Sequence, residues 1–248
     1  MKYFKLNFTL DSKLRGSNDY IKDYKLKIPN SKLYWDEPRF IGNIRDGKID
    51  FQPYLLDIEL FASAKANELI MDGGPVSGKL IVSGKLKSIL EESRTTGMQF
   101  FNIHIIKNNE IFDNYWLLHM YESNQEFIEY SKSKIIYQEK SDDFEISYLV
   151  NEKNVIINSQ DDFEELIKKS RQNDELIWIE KIALSKPNEI FFTLKYINGG
   201  WGYFVSETLK QKIEDAGCTG MEFQPIELSY NEWAGPGGER EKIYGKYF

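Results

Sequence analysis

At 248 residues, with 41% hydrophobic residues, 29% charged residues and a net charge of -7, the chain is long enough to bury a core and too balanced for disorder. Its one cysteine, Cys218, excludes an internal disulfide framework and an all-cysteine metal cluster. No apolar run reaches the ~18 residues of a membrane helix, and the charged stretch Met1–Gly16 has no signal-peptide core, so the sequence predicts a cytoplasmic protein.

Charge is unevenly placed. Residues 1–125 hold 17 basic and 16 acidic side chains, leaving 15 and 23 for residues 126–248. A near-neutral half followed by an acidic one disfavours nucleic acid as a partner and favours a basic protein.

In chain order, Lys2–Leu10 and Lys48–Leu60 carry strand-like alternation, with weaker periodicity between them. Then comes a segment that is spelled twice. "VSGKLKSILEESRTTGMQFFNIHI", Val82–Ile105, and "VSETLKQKIEDAGCTGMEFQPIEL", Val205–Leu228, share 10 of 24 positions without a gap. In each, a serine (Ser83, Ser206) stands where it can cap a helix. Val82, Leu86, Ile89 and Leu90 in one, and Val205, Leu209 and Ile213 in the other, follow helical spacing. Thr96-Gly97 and Thr219-Gly220 are expected to stop the helix and reverse the chain. Alternation after them, led by Met98 and Phe100 or Met221 and Phe223, predicts a strand. The unit reads helix, tight turn, strand, and implies internal duplication.

Between and after the copies, "KNNE" at Lys107–Glu110 predicts a hairpin that returns a long strand onto Met98–Ile106. Phe144–Val150, Asn154–Ser159, Glu175–Leu184 and Glu189–Ile197 read as strands, the last two parted by the turn Ser185–Asn188. Asp161 with Glu164 predicts the capping-box start of a short helix. The expected fold is α+β, mainly antiparallel sheet with a few short helices. It is built from two related halves containing the helix-turn-strand unit, approximately 1–125 and 126–248, packed as a single body.

Chemistry-bearing residues are few. His104 and His119 fall in neighbouring strand patterns and could converge on a metal only if a carboxylate joined them, which no spacing supplies. Cys218 has no histidine anywhere in its half to act as a base, and Thr95 stands in its place in the first copy. Glu91-Glu92, Asp142-Asp143 and Asp161-Asp162 are adjacent carboxylates that point apart and suit a solvated face or a cap better than acid–base work. The glycine-rich "WAGPGGER", Trp233–Arg240, and "INGGWGYF", Ile197–Phe204, lack the spacing of a phosphate or dinucleotide loop. The sequence therefore predicts no enzyme, no metal and no cofactor. For partner contact it offers Trp233 as an aromatic anchor, with Glu232 and Glu239 beside it and Asp142 and Asp143 as further acidic contacts. A rival reading places Trp201, Tyr203 and Trp233 together as a stacking platform for carbohydrate or peptide.

The second copy, with Val205, Ser206, Leu209, Thr219, Gly220, Phe223 and Pro225 at its fixed positions, resembles the closing block of bacterial polymorphic-toxin immunity proteins, immunity protein family eleven. The first copy, followed by "NYWLLHMYES" and "EYSKSKIIY", is similar to the middle block, so the resemblance spans roughly residues 76–228. It implies an antidote that binds and neutralises a cognate protein toxin in the cytoplasm without catalysis. The recurring positions are apolar and turn residues, which assigns them to the scaffold.

Overall fold

The computed structural model describes residues 1–29, 33–70, 73–139, 152–198 and 200–246. The strand expected at Phe144–Val150 and the pair Asp142 and Asp143 lie outside the described residues. In chain order the elements are β1 (Tyr3–Phe8), α1 (Ser12–Arg15), β2 (Ile21–Leu26), β3 (Leu56–Leu60), β4 (Leu69–Ile70) and β5 (Leu80–Ser83). Next come α2 (Gly84–Ser93), β6 (Met98–Lys107), β7 (Glu110–Met120), β8 (Lys134–Gln138), β9 (Glu152–Val155) and α3 (Gln160–Asn173). The chain continues through β10 (Leu176–Lys181), β11 (Phe191–Ile197), β12 (Gly200–Ser206), α4 (Glu207–Asp215), β13 (Met221–Pro225), α5 (Tyr230–Ala234) and α6 (Glu239–Tyr244).

These strands form two mostly antiparallel sheets, an α+β fold as expected. The six-stranded sheet runs β2-β3-β6-β7-β5-β4 and draws only on residues 21–120. Its centre is the β6–β7 hairpin, whose register Lys107↔Glu110 leaves a two-residue turn. Asn108 and Asn109 fill that turn with φ of 52° and 65°, the left-handed pair that a twisted hairpin needs and asparagine tolerates. The seven-stranded sheet runs β13-β1-β12-β11-β10-β8-β9. Strand β1, from the start of the described chain, thus sits between two strands from its last fifth.

Both copies of the repeated segment fold as a serine-capped helix leading to a strand. Ser83 Oγ accepts from the Leu86 N–H, and Ser206 Oγ from the Leu209 N–H. Gly97 and Gly220 hold φ of 76° and 93°, but each stands three or more residues beyond its helix, at the turn into the strand rather than at the helix stop. Equivalent apolar positions meet in one cluster: Val82 with Val205, Leu86 with Leu209, Leu90 with Ile213, Met98 with Met221 and Phe100 with Phe223. A fully buried aliphatic side chain there contributes roughly 1.5–3 kcal/mol of transfer free energy, so matched residues of the two segments hold each other in place. Even the polar decoration recurs. Lys87 Nζ lies 5.2 Å over the Phe100 ring and 2.6 Å from Glu91, and Lys210 Nζ lies 5.5 Å over Phe223 and 3.0 Å from Glu214.

Two other clusters complete the core. One packs α3 on the seven-stranded sheet through Phe163 and Ile167 against Ile135, Ile179, Phe192 and Phe204. The second covers the six-stranded sheet with the irregular chain around Phe40, Ile41 and Ile49.

Two local expectations are corrected. Helix α3 starts at Gln160, with Ser159 as cap accepting from the Asp162 N–H, so Asp161 lies in the first turn instead of capping it. Strands β10 and β11 do not form a hairpin about Ser185–Asn188; they pair in parallel at Ile179↔Ile197. The intervening chain leaves the sheet first, because Ile182 donates to Ile226 and Ser185 to Phe127, and Leu184 bridges Ile128.

Candidate interaction site

The two histidines do not converge. His119 faces Gln99 across the β6–β7 ladder, five residues from His104, roughly 17 Å along a strand. His104, partly exposed, sits 3.2 Å from Asp57. His119 is 0% exposed; its Nδ1 faces the Lys79 ammonium at 3.0 Å and its Nε2 faces the Gly47 carbonyl at 2.9 Å. An ammonium only donates, so Nδ1 is the acceptor and Nε2 carries the proton. Burial, then the Lys79 charge, lowers the imidazole to about 4. Burial, then the Arg45 charge, lowers Lys79 to about 8. The Cys218 thiol is pushed up by burial, away from nucleophilic use. Among the described residues no group of three or more His, Cys, Asp or Glu side chains could hold a metal ion.

The residues expected to meet a partner are placed as follows. Trp233 is 2% exposed, its ring packed edge-on against Tyr244 at 6.0 Å, so it supports the C-terminal helices and presents no anchor to solvent. Glu232 closes a capping box with Ser229 and pairs with Lys181 at 2.6 Å; the Lys181 contact, then Ser229, holds its carboxyl down to about 2. Glu239 opens α6 and pairs with Lys242 at 2.8 Å. Tyr203 is also buried, its hydroxyl donating to the Gly78 carbonyl, so of the three rings in the platform reading only Trp201 faces open space.

Trp201 does so in company that the sequence reading missed. A groove of about 680 Å³ is lined by Leu176, Trp178, Trp201 and Tyr230, with Lys5, Glu152 and Glu180 as its charged groups. Alternation along β10 builds one wall: Ile177 and Ile179 enter the core, so Trp178 and the 61% exposed Leu176 turn outward. Tyr230, 54% exposed, is held by the capped start of α5. Burial brings Lys5 down to about 8, and among the described residues its ammonium has no ion-pair or hydrogen-bond partner.

Across Trp201 lies a second cleft, of about 430 Å³, whose charged lining is Arg45, Asp46, Arg171 and Lys195. The backbone between the two is unusual. Tyr196 and Asn198 hold φ of 63° and 49° around a bulge in β11, a conformation asparagine tolerates but one that costs about 1–3 kcal/mol at Tyr196. Beside it, Lys195 Nζ lies 5.0 Å over the Trp201 ring and 2.5 Å from Asp46.

A polar cleft and an aromatic groove sharing one wall suit binding to another molecule. The comparison of families agrees with that character: residues 2–177 match the model described as Immunity protein family (Imm11). The chain belongs to this family. Among curated proteins, none matches. The Imm11 match takes in the N-terminal 70 residues that the sequence resemblance left uncovered. It ends before the second copy of the repeated segment, on which that resemblance was first drawn. Trp178, Lys195, Trp201 and Tyr230 also stand beyond the matched residues. No helix among the described residues is long and apolar enough to cross a membrane.

Proposed function

We propose that this Imm11 protein is the antidote of a toxin–immunity pair. It binds and neutralises a cognate polymorphic toxin in the cytoplasm, by occlusion and without catalysis of its own. Family membership is the observation that carries this reading. The toxin docks on the groove beside Trp201, where Trp178, Trp201 and Tyr230 are the rigid aromatic anchors that dominate protein interfaces. Glu152 at that groove suits a basic side chain of the toxin, whereas Glu180 there is already paired with Lys134; a basic contact is in keeping with the acidic excess of residues 126–248.

Co-purification with the product of the adjacent gene, and rescue of growth when both are expressed, tests the reading directly. A stable complex with rescue is expected; neither binding nor rescue with any neighbouring product overturns it. In the complex, Trp201→Ala and Trp178→Ala are each expected to weaken affinity about thirtyfold with little change in thermal stability. Unchanged affinity in both would move the docking site elsewhere. A carbohydrate could stack on the same rings, and saturable glycan binding without toxin binding would favour it.

A further inference from the structure

The cleft across Trp201 has an imbalance of charge that the fold does not use. Its charged lining is three cations and one carboxylate, Asp46, and that carboxylate is already taken by Lys195. Among the described residues, Arg171 reaches a neutral partner alone, donating to the Tyr196 hydroxyl at 2.7 Å. Arg45 is exposed and makes no hydrogen bond or ion pair among the described residues. Behind it lies a fourth cation, Lys79, buried against the Ile44 carbonyl and His119, whose ammonium is disfavoured in part by the Arg45 charge. Positive charge is thus concentrated in one place on a chain whose net charge is -7. Lys195 and Trp201, cross-strand partners of β11 and β12 beside the bulge, both line this cleft.

We propose that this cleft is an anion site that receives an acidic side chain of the partner polypeptide, its carboxylate bridging Arg45 and Arg171. Guanidinium groups present paired donors that match a carboxylate's two oxygens. A polypeptide occupant is favoured over a free anion because the cleft is continuous with the aromatic groove: Gly200 and Trp201 line both. A bound chain can place an apolar residue on Trp178 and Trp201 and, a few residues away, a carboxylate on the arginines. The inference rests on the docking reading above and refines it. Glu152 in the groove and the cations of the cleft both lie beside Trp201, so a partner that uses both carries a basic and an acidic group in a fixed order. Such an arrangement sets the register of the bound chain.

The test uses the full chain, its R45E/R171E double variant and two probes. Both substituted residues are exposed, so equal thermal midpoints are expected. First, a hexaglutamate peptide is titrated while tryptophan fluorescence is followed, with Trp201→Phe identifying the reporting ring. Saturable binding, lost in the double variant and not displaced by inorganic phosphate at equal concentration, is expected. No saturable change, or displacement by phosphate on equal terms, overturns the proposal. Second, the adjacent gene product is titrated against both chains. The double variant is expected to bind at least about tenfold more weakly. Equal affinity would overturn the acidic contact and leave the docking reading standing. Failure of both chains to bind the product would remove the docking reading, and the peptide titration then decides the cleft alone.

Discussion

His119 shows how one buried side chain ties stability to pH. Its imidazole stays neutral in the fold down to about pH 4, whereas the ordinary value is 6.5, so between these the unfolded chain binds the extra proton. Stability from this group is therefore complete above pH 6.5 and is lost as pH falls toward 4, by roughly 3 kcal/mol. Urea midpoints at pH 6.5 and 4.5 should separate accordingly. His119→Gln, which keeps an acceptor for Lys79 and a donor for Gly47, should narrow the gap; an unchanged gap would assign the pH response to other groups. Arg240 matters to stability through an ion pair, its guanidinium bonded twice to Glu222 at 2.7 and 2.6 Å with both side chains 1% exposed. Arg240→Ala strands a buried carboxylate and should cost about 3–5 kcal/mol in denaturant unfolding. A loss below 1 kcal/mol would mean that water reaches Glu222.

At the scale of elements, the serine caps, the Asn108-Asn109 hairpin and the alternating strands were legible because each follows from local chemistry: a side-chain acceptor, a tolerated φ, a two-residue period. The parallel pairing of β10 with β11 was not. Ser185–Asn188 has turn residues, and what diverts the chain there is contact with Phe127, Ile128 and Ile226, from distant parts of the sequence. The candidate site was half legible for the same reason. Trp178 stands on the outward phase of β10, a pattern visible in "LIWIEK", yet nothing local brings it to Trp201 and Tyr230. Trp233 invited the opposite error, since a tryptophan beside glycines looks exposed until α6 folds over it. Among turn glycines the outcome of substitution should follow geometry. A Cβ at Gly220 would stand 2.2 Å from the Leu69 carbonyl oxygen, whereas one at Gly217 meets nothing within 4 Å. Both have positive φ, so Gly217→Ala should cost about 1 kcal/mol and Gly220→Ala clearly more. Equal losses on thermal melting would show that the Leu69 strand yields freely.

For the whole molecule, the halves 1–125 and 126–248 are interlocked by β1, which leaves the first to complete the sheet of the second, and by the shared cluster under α2 and α4. We propose that they unfold as one body, giving a single calorimetric transition whose calorimetric and van't Hoff enthalpies agree; two resolved transitions would make them separate domains. Deleting residues 1–10 bares the facing edges of β12 and β13, and unpaired edges recruit other chains. That deletion should turn a defined species into polydisperse assemblies by light scattering. A soluble, cooperatively folding truncation would refute the role given to β1.

The pairing of Tyr3 with Ser206 also sets a clock on synthesis. Strand β1 is made about two hundred residues before β12 and β13, an interval on the order of 10–40 s at ordinary elongation rates. During that interval it has no neighbour in its own sheet, and the wall that carries Trp201 has not been made. A chain ended short of β13 therefore lacks Tyr230 and one of the two strands that flank β1, and on the proposed docking reading it is expected to give no protection.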